Sequence, residues 1–119
     1  SDIFHGLSFN FGPQAEQSQN VKQLVEDLSS YWHFKKTDKI YEITENVPFN
    51  EATLLKLNCD KAMFYFKWKS SLDYIDTIRF SGEWYYYFYN KNINIFDKTT
   101  EQISEYENIA KQKGLKWTE

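Results

Sequence analysis

The side chains best suited to nucleophilic catalysis are one cysteine and two histidines. Cys59 lies in the polar segment NCDK, which favours a turn, while His33 ends a predicted helix and His5 lies near the N-terminus. A catalytic nucleophile needs a base and an orienting group beside it, and neither histidine has a histidine or cysteine partner at metal-ligand spacing. We therefore expect a structural thiol at Cys59 and no metal site.

The carboxylates predict solvated helix surfaces rather than an acid–base pair. Asp73 and Asp76 would act in catalysis only if a cleft received them. The chain has no GxxxxGK[ST], GxGxxG or HExxH motif. These absences predict a protein that is not an enzyme and uses no cofactor. The carboxylates assigned to helix surfaces are Glu26, Asp27, Glu101, Glu105 and Glu107.

Composition indicates one domain over residues 1–119 with a possible N-terminal arm at 1–17. The 119 residues carry a net charge of −3, whereas proteins that grip nucleic acid through phosphates usually have a basic excess. A single cysteine excludes an intrachain disulfide and suits a reducing compartment. No apolar run is long enough to span a bilayer, and no signal peptide is visible. We expect a cytoplasmic protein, and the frequent Lys, Asn, Ile and Tyr suggest a bacterial or phage source.

A first helix is predicted from Ser18 to about Phe34. Its apolar residues recur at helical spacing, and Ser18 or Asn20 can accept a backbone N–H bond at its start. The apolar stripe consists of Val21, Leu24, Val25, Leu28, Tyr31 and Trp32.

A last helix is predicted after Asp97. The sequence TTEQ from Thr99 fits a capping box, and Gly114 suits the left-handed residue that ends a helix. Leu115 and Trp117 could then fold back on the helix as an apolar tail. The expected stripe is Ile103, Tyr106, Ile109 and Ala110, and the expected C-terminal cations are Lys111 and Lys113.

The middle of the chain reads as strands separated by turns. Apolar and polar residues alternate, and Ser81-Gly82-Glu83 and Asn90–Asn92 read as turns. The predicted fold is α+β, an antiparallel meander of about five strands flanked by the N-terminal and C-terminal helices on one face. The strands are expected near 40–44, 54–57, 64–69, 75–80, 84–89 and 93–96, the second of which would also suit a helix.

Six consecutive aromatic residues, Trp84 to Tyr89, would make both faces of one strand aromatic. One face is expected to pack in the core. The other mixes tyrosines with cations and is either a solvent-exposed structural face or an interface. The inward set is Phe64, Phe66, Trp68, Ile78, Phe80, Trp84, Tyr86 and Phe88, and the outward set is Tyr65, Lys67, Lys69, Thr77, Arg79, Tyr85, Tyr87 and Tyr89.

These features favour a small non-catalytic module that binds a partner protein. An inhibitor, immunity or anti-defence protein of this type would block its partner by steric and electrostatic occupation, and acidic helices would suit a basic partner. Single-stranded nucleic-acid binding through the aromatic and basic sheet face is the alternative, and a homodimer through the tyrosines is another. The predicted partner-binding residues are Tyr65, Lys67, Lys69, Arg79, Tyr85, Tyr87, Tyr89, Glu101 and Glu105.

Overall fold

The segments that the sequence assigns to a sheet are largely helical. The structure is a computed structural model that describes residues 2–13, 19–35, 38–43 and 57–119. No strand occurs within those ranges, so the predicted α+β meander is wrong. The α-helices are Val21–Ser29 (α1), Asp60–Phe66 (α2), Tyr74–Asn90 (α3) and Ile95–Gln112 (α4), and short 3₁₀ turns are formed by Asp2–Phe4, Ser30–Trp32 and Lys116–Thr118.

Each predicted strand can be placed against these helices. Residues 64–66 belong to α2, while the strands at 75–80 and 84–89 and the turn between them form the single helix α3. The strand at 93–96 overlaps the start of α4, and residues 40–43 have irregular structure. Residues 46–50, which the sequence predicts to form a turn, and most of the strand predicted at 54–57 lie outside the described residues. The division of aromatics into inward and outward sheet faces is wrong for the same reason.

Helix α3 begins at a side-chain cap and continues through the aromatic run. The Asp73 carboxylate accepts a hydrogen bond from the backbone N–H of Asp76 at 2.8 Å, which satisfies one of the free donors at the helix start. From there Ile78, Gly82 and Tyr86 recur every fourth residue and face one side of α3, where Ile78 and Gly82 are buried. Side chains of α3 are therefore grouped on one face at intervals of three and four residues, not on alternate faces as they would be in a strand.

The aromatic run fits a helix because residues four apart stack on each other. Trp84 and Phe88 are nearly parallel with ring centroids 5.2 Å apart, and Tyr85 and Tyr89 are 6.5 Å apart at an interplanar angle of 15°. Neighbouring residues on a helix surface are those three and four apart. The rings thus cover one another along α3 without a sheet.

Gly82 allows α3 to approach the 3₁₀ turn Ser30–Trp32. A Cβ atom at Gly82 would lie 2.9 Å from both Cβ and Cδ2 of Tyr31. Contacts this short do not occur between real side chains, so only glycine permits the observed packing of Tyr31 on the helix backbone. The glycine read as a turn signal serves close helix packing instead.

The first helix is confirmed, with the predicted cap at Asn20. The Asn20 side chain accepts a hydrogen bond from the backbone N–H of Gln23 at 2.8 Å, whereas Ser18 lies outside the described residues. At its other end, α1 is tied to α3 because the Tyr74 hydroxyl donates to Asp27 at 2.7 Å. Asp27 also accepts from the Gln23 side-chain amide at 2.8 Å.

Helix α4 starts one turn earlier than predicted. Asn94 is the N-cap, accepting from the backbone N–H of Phe96, so the capping box at Thr99 is wrong, and the Thr99 hydroxyl donates to the carbonyl of Ile95 instead. The predicted C-terminus is confirmed. Gly114 has φ +63° and lies in a Schellman-type arrangement of reverse hydrogen bonds, and Trp117 folds back to stack on Tyr106 at 5.7 Å.

An N-terminal arm, residues 2–13, lies along α2. Phe9 packs against Phe66 with ring centroids 4.7 Å apart, and Phe4 lies edge-on to Tyr65 at 5.2 Å. The Lys61 ammonium donates to the carbonyl of Ser8 at 3.0 Å. The described part of the possible N-terminal arm therefore packs on α2.

Little apolar surface is fully enclosed in the described part of the chain. Cys59, Ala62, Ile78 and Ala110 are its buried apolar residues, and no large side chain there is completely buried. The radius of gyration is 18.1 Å, whereas a compact domain of this length would have about 13 Å. Among the described helices, none has the length and apolar character needed to cross a membrane.

The first prediction concerns the close packing at Gly82. We expect Gly82→Ala to lower the free energy of unfolding by up to about 2 kcal/mol, because the clash with Tyr31 costs about 1–3 kcal/mol and the helix-propensity gain of about 1 kcal/mol offsets only part of it. Urea denaturation measures the change. Ser104→Ala on the exposed side of α4 is the control and should stay within about 0.5 kcal/mol. A stabilised Gly82→Ala variant would contradict the packing.

The second prediction concerns Tyr74. The pKa of Tyr74 is raised to about 12 from an ordinary value of 10.0. Partial burial is the main cause, and the hydrogen bond and the charge of Asp27 add to it. The stability linked to this raised pKa is fully present below pH 10 and is lost as the pH rises through 12. Ultraviolet titration should show one tyrosine ionising near pH 12 that is missing in Tyr74→Phe. In Asp27→Asn that transition should move to lower pH, and an unchanged transition would contradict the assignment.

Candidate binding cleft

A surface cleft lies between α3, α4 and the 3₁₀ turn Ser30–Trp32. Its volume is about 540 Å³. Arg79, Glu83 and Tyr87 recur every fourth residue on α3, and Lys98, Glu101 and Glu105 recur at intervals of three and four on α4. Helical spacing therefore aims both sets into the same space. The cleft is completed by Ser30, Tyr31, His33, Tyr86 and Lys91.

Arg79 lies at the centre of the charge network. Its guanidinium forms a bidentate pair with Glu105, with Nη2–Oε1 at 2.7 Å and Nη1–Oε2 at 3.2 Å. Asp76 and Glu83, on the same helix, lie 3.5 and 3.9 Å from the guanidinium. Two parallel hydrogen bonds fix the guanidinium plane as well as its position, so this pair joins α3 to α4 with a defined geometry.

Lys98 is the second cation that joins the two helices. Only 9% of it is exposed, and its ammonium lies 3.0 Å from Glu83 and 3.6 Å from Glu101. The same ammonium lies 5.0 Å from the centroid of the Tyr87 ring, a cation–π distance. A nearly buried lysine is stable here because carboxylates and an aromatic face surround its charge.

The network favours the charged forms of its members. The hydrogen bond from Arg79 lowers the pKa of Glu105, and partial burial opposes that effect only in part. Burial lowers the pKa of Lys98 and is the largest single influence, but the hydrogen bond and charge of Glu83 together with the charge of Glu101 raise it overall. The Glu105 hydrogen bond, opposed in part by burial, likewise raises the pKa of Arg79. Fixed charges of this kind suit ion pairing more than proton transfer.

Three aromatic rings, of which Trp32 is half-buried, lie beside the cleft and next to its lining residues His33 and Tyr86. We call them the aromatic rim: Trp32, Phe34 and Tyr89. Trp32 and Phe34 stack at 6.1 Å with an interplanar angle of 11°, and Trp32 lies 5.9 Å from Tyr89. Phe34 is 48% and Tyr89 66% exposed. His33 has φ +55°, a left-handed conformation uncommon for a residue other than glycine, and this turn of the backbone separates Trp32 from Phe34.

The structure brings together some of the predicted partner-binding residues and separates others. Arg79, Tyr87, Glu101 and Glu105 line the cleft, Tyr89 lies on the rim, and Tyr85 stacks on Tyr89 along the outer side of α3. The remaining three lie elsewhere: Tyr65 contacts the arm, Lys67 lies over the Phe64 ring and Lys69 is exposed beyond α2. A sheet face that unites all nine does not exist among the described residues.

Several cleft residues were missed by the sequence analysis. Glu83 was read as part of a turn, and Lys98 received no role because α4 was started too late. The signal was present in the helical spacing, since Arg79 and Glu83 are four apart and Lys98 and Glu101 three apart. The missed residues also include Trp32, His33, Phe34 and Tyr86.

Cys59 lies apart from the cleft, whereas His33 is one of the residues that line it. Cys59 is 7% exposed, and its thiol lies 3.6 Å from the Leu57 carbonyl, close to Gly12 of the arm. His33 lines the cleft and lies edge-on to Tyr86 at 5.0 Å. Within residues 2–13, 19–35, 38–43 and 57–119 there is no group of three or more potential metal ligands.

The third prediction concerns the pH dependence of the Arg79–Glu105 pair. Because the folded pKa of Glu105 is lowered, the stability from this pair is present above the ordinary glutamate pKa of 4.5 and is lost as the pH falls through the folded value. Glu105→Gln should therefore be less stable than wild type at pH 7, and the difference should shrink below pH 4.5. Urea denaturation across this range measures it.

Glu107→Gln is the matched control, since Glu107 is exposed on the same helix and pairs with no described cation. Its difference from wild type should stay small at both ends of the pH range. A Glu105→Gln deficit that is independent of pH would show that the pair does not act through charge.

No protein-family model matches the chain, and neither a curated protein nor a solved structure shows significant similarity to it.

Proposed function

We propose that this protein is a non-catalytic binding module that receives part of a partner protein in the cleft and on the aromatic rim, and acts by blocking that partner. The observation that carries the proposal is the juxtaposition of exposed, mutually stacked rings with a preorganised set of charges. Tyrosine, tryptophan and arginine dominate the energetics of protein interfaces. The rim and the cleft place these residue types next to one another.

The rim would supply most of the affinity. Phe34 and Tyr89 expose large parts of their rings, and the stacking of Trp32 on Phe34 already limits their motion. Rings that are ordered before binding lose little side-chain entropy when a partner covers them. A partner with a complementary apolar segment would therefore gain area at low cost.

The cleft would supply selectivity for charge. Arg79 and Lys98 are already held by carboxylates, whereas the Glu101 side chain is 68% exposed and Lys91 is exposed at the end of α3. Glu101 is thus the carboxylate with most room for a new cation, which suits a partner that carries a basic residue opposite it. The overall charge of −3 would favour encounter with such a partner.

The same charges support binding over catalysis. A general acid needs a raised carboxyl pKa and a nucleophilic lysine a lowered one. The opposite directions hold for Glu105 and Lys98. Carboxylates in the cleft would also repel phosphates, which weighs against nucleic acid as the occupant.

The fourth prediction is tested by retention of a partner from an extract of the native host. Wild type should retain one protein at a near one-to-one ratio. The double variant Phe34→Ser/Tyr89→Ser should lose that protein, with an affinity at least about 30-fold lower because aromatic anchors commonly contribute 2 kcal/mol or more. Circular dichroism and thermal melting must first show that the variant is folded.

The matched control is Phe96→Ser/Ile103→Ser, which removes two apolar side chains of α4 that are at least as exposed as those of Phe34 and do not line the cleft. It should retain the partner as wild type does. Retention by both variants would place the contact outside the rim. Fluorescence anisotropy with labelled single-stranded DNA and RNA tests the alternative: rim-dependent binding there would replace the protein partner with a nucleic acid.

A further inference from the structure

The three lysine and arginine side chains that line the cleft differ in how they are paired. Arg79 and Lys98 each contact a carboxylate of the neighbouring helix, at 2.7 and 3.0 Å. Lys91 is the C-cap of α3 and also lines the cleft. In the part of the chain that the structure describes, no carboxylate lies at ion-pair distance from Lys91. The charge of Lys91 is therefore available to a molecule that enters the cleft.

The Tyr86 ring contacts Lys91, His33 and the aromatic rim. The Lys91 ammonium lies over this ring, 5.7 Å from its centroid, and the His33 ring lies edge-on to it at 5.0 Å. Trp32, a member of the rim, lies 6.3 Å from the same ring. His33 is exposed, and its imidazole can donate an N–H hydrogen bond. We call Lys91 and His33 the basic end of the cleft.

The acidic end of the cleft lies at Glu101. Three glutamates and three lysine or arginine residues line the cleft, so the formal charges of these six balance. Two of each sign form the pairs that join α3 to α4, which leaves Lys91 and Glu101. The Glu101 side chain is 68% exposed and lies 3.6 Å from Lys98. Lys98 reaches α3 at Glu83, whereas Lys91 lies over Tyr86, about one turn further along the helix.

A carboxylate is the group that fits the basic end. It accepts hydrogen bonds from an ammonium and from an imidazole N–H, and such charge-assisted bonds are stronger than neutral ones. It carries one negative charge, which the charge of Lys91 balances. A nucleic-acid strand fits less well, since its phosphates repeat along the strand and would also meet Glu101. Trp32 of the rim lies against Tyr86, so an apolar group beside the carboxylate can cover the rim.

We propose that the basic end binds the side-chain carboxylate of an acidic residue in the partner's segment, while an apolar side chain two residues away covers the aromatic rim. Side chains two residues apart lie on the same face of an extended segment. The inference rests on the proposed function, since it takes the occupant to be part of a protein. The bound segment has one orientation, because its acidic residue faces Lys91 and a basic residue faces Glu101.

The charge preference is measured with two tripeptides, phenylalanine–alanine–glutamate and phenylalanine–alanine–glutamine, each acetylated and amidated at its ends. The two peptides differ only in the carboxylate. Titration of the isotope-labelled protein, followed by nuclear magnetic resonance, gives both dissociation constants. The glutamate peptide should bind wild type about 3- to 10-fold more tightly than the glutamine peptide, as expected for one partly exposed charge pair. The backbone amide signals of His33 and Lys91 and the indole signal of Trp32 should shift.

Lys91→Gln should remove the preference, so that both peptides bind this variant as the glutamine peptide binds wild type. Lys111→Gln is the matched control, because Lys111 is exposed on α4, pairs with no described carboxylate and does not line the cleft. It should keep the preference of wild type. Equal binding of both peptides to wild type, no binding of the glutamate peptide at millimolar concentrations, or a preference that Lys91→Gln retains or that both variants lose would overturn the proposal.

Failure of this inference and failure of the proposed function give different results. The preference is a ratio of two peptide affinities, whereas the proposed function is tested by retention of the partner through the rim. In Phe34→Ser/Tyr89→Ser both peptides should bind more weakly, while the ratio of their affinities stays that of wild type. A wild type that shows no preference but retains its partner through the rim overturns only the carboxylate site. A preference that persists while the rim variant still retains the partner supports the carboxylate site and overturns the proposed role of the rim.

Discussion

The close approach of Tyr31 to the backbone of α3 at Gly82 determines where the cleft and the aromatic rim form. Only a residue without a Cβ atom admits Tyr31 at this distance, and the 3₁₀ turn Ser30–Trp32 is consequently held against the middle of the helix. That contact fixes one wall of the cleft. It also sets the path of the chain into His33, whose backbone is left-handed and which is followed by the exposed Phe34.

On the opposite wall of the cleft, ion pairs connect α3 to α4. Arg79 and Lys98 each connect one helix to a carboxylate of the other, and the Gln102 amide donates to the carbonyl of Phe80 at 2.8 Å in the same interface. Charged pairs fix distances and orientations more tightly than aliphatic contacts do. They also leave the cleft polar, whereas the aromatic rings of the rim lie beside it.

Sequence reasoning located the termini of the helical region better than its middle. Asn20, Gly114 and Trp117 were found because helix ends depend on interactions between residues close in the sequence. A capping side chain accepts a free backbone N–H group, and glycine adopts the left-handed conformation that ends a helix. The aromatic run was assigned to a strand because tyrosine, phenylalanine and tryptophan favour strands on average. That preference depends on packing context, and here stacking between residues four apart satisfies the rings on a helix.

Two further errors concern Gly82 and the start of α4. Gly82 was read as a turn because glycine weakens helices, yet its role is to make room for Tyr31, which no local pattern reveals. The start of α4 was assigned to Thr99 although Asn94, one turn earlier, is an equally good cap. The extra turn brings Lys98 to Glu83. Arg79 and Glu105 were singled out for their residue types, but the cleft that both of them line depends on the helical geometry.

The N-terminal arm has a consequence for the order of folding. Helices α3 and α4 are joined by a short connection and contact each other through residues close in the sequence, whereas Phe4 and Phe9 must find Tyr65 and Phe66 across most of the first half of the chain. Contacts between distant residues carry a larger loop-closure cost and form more slowly. The helical hairpin is therefore expected to form early during folding, and the docking of the arm on α2 to complete the native structure last.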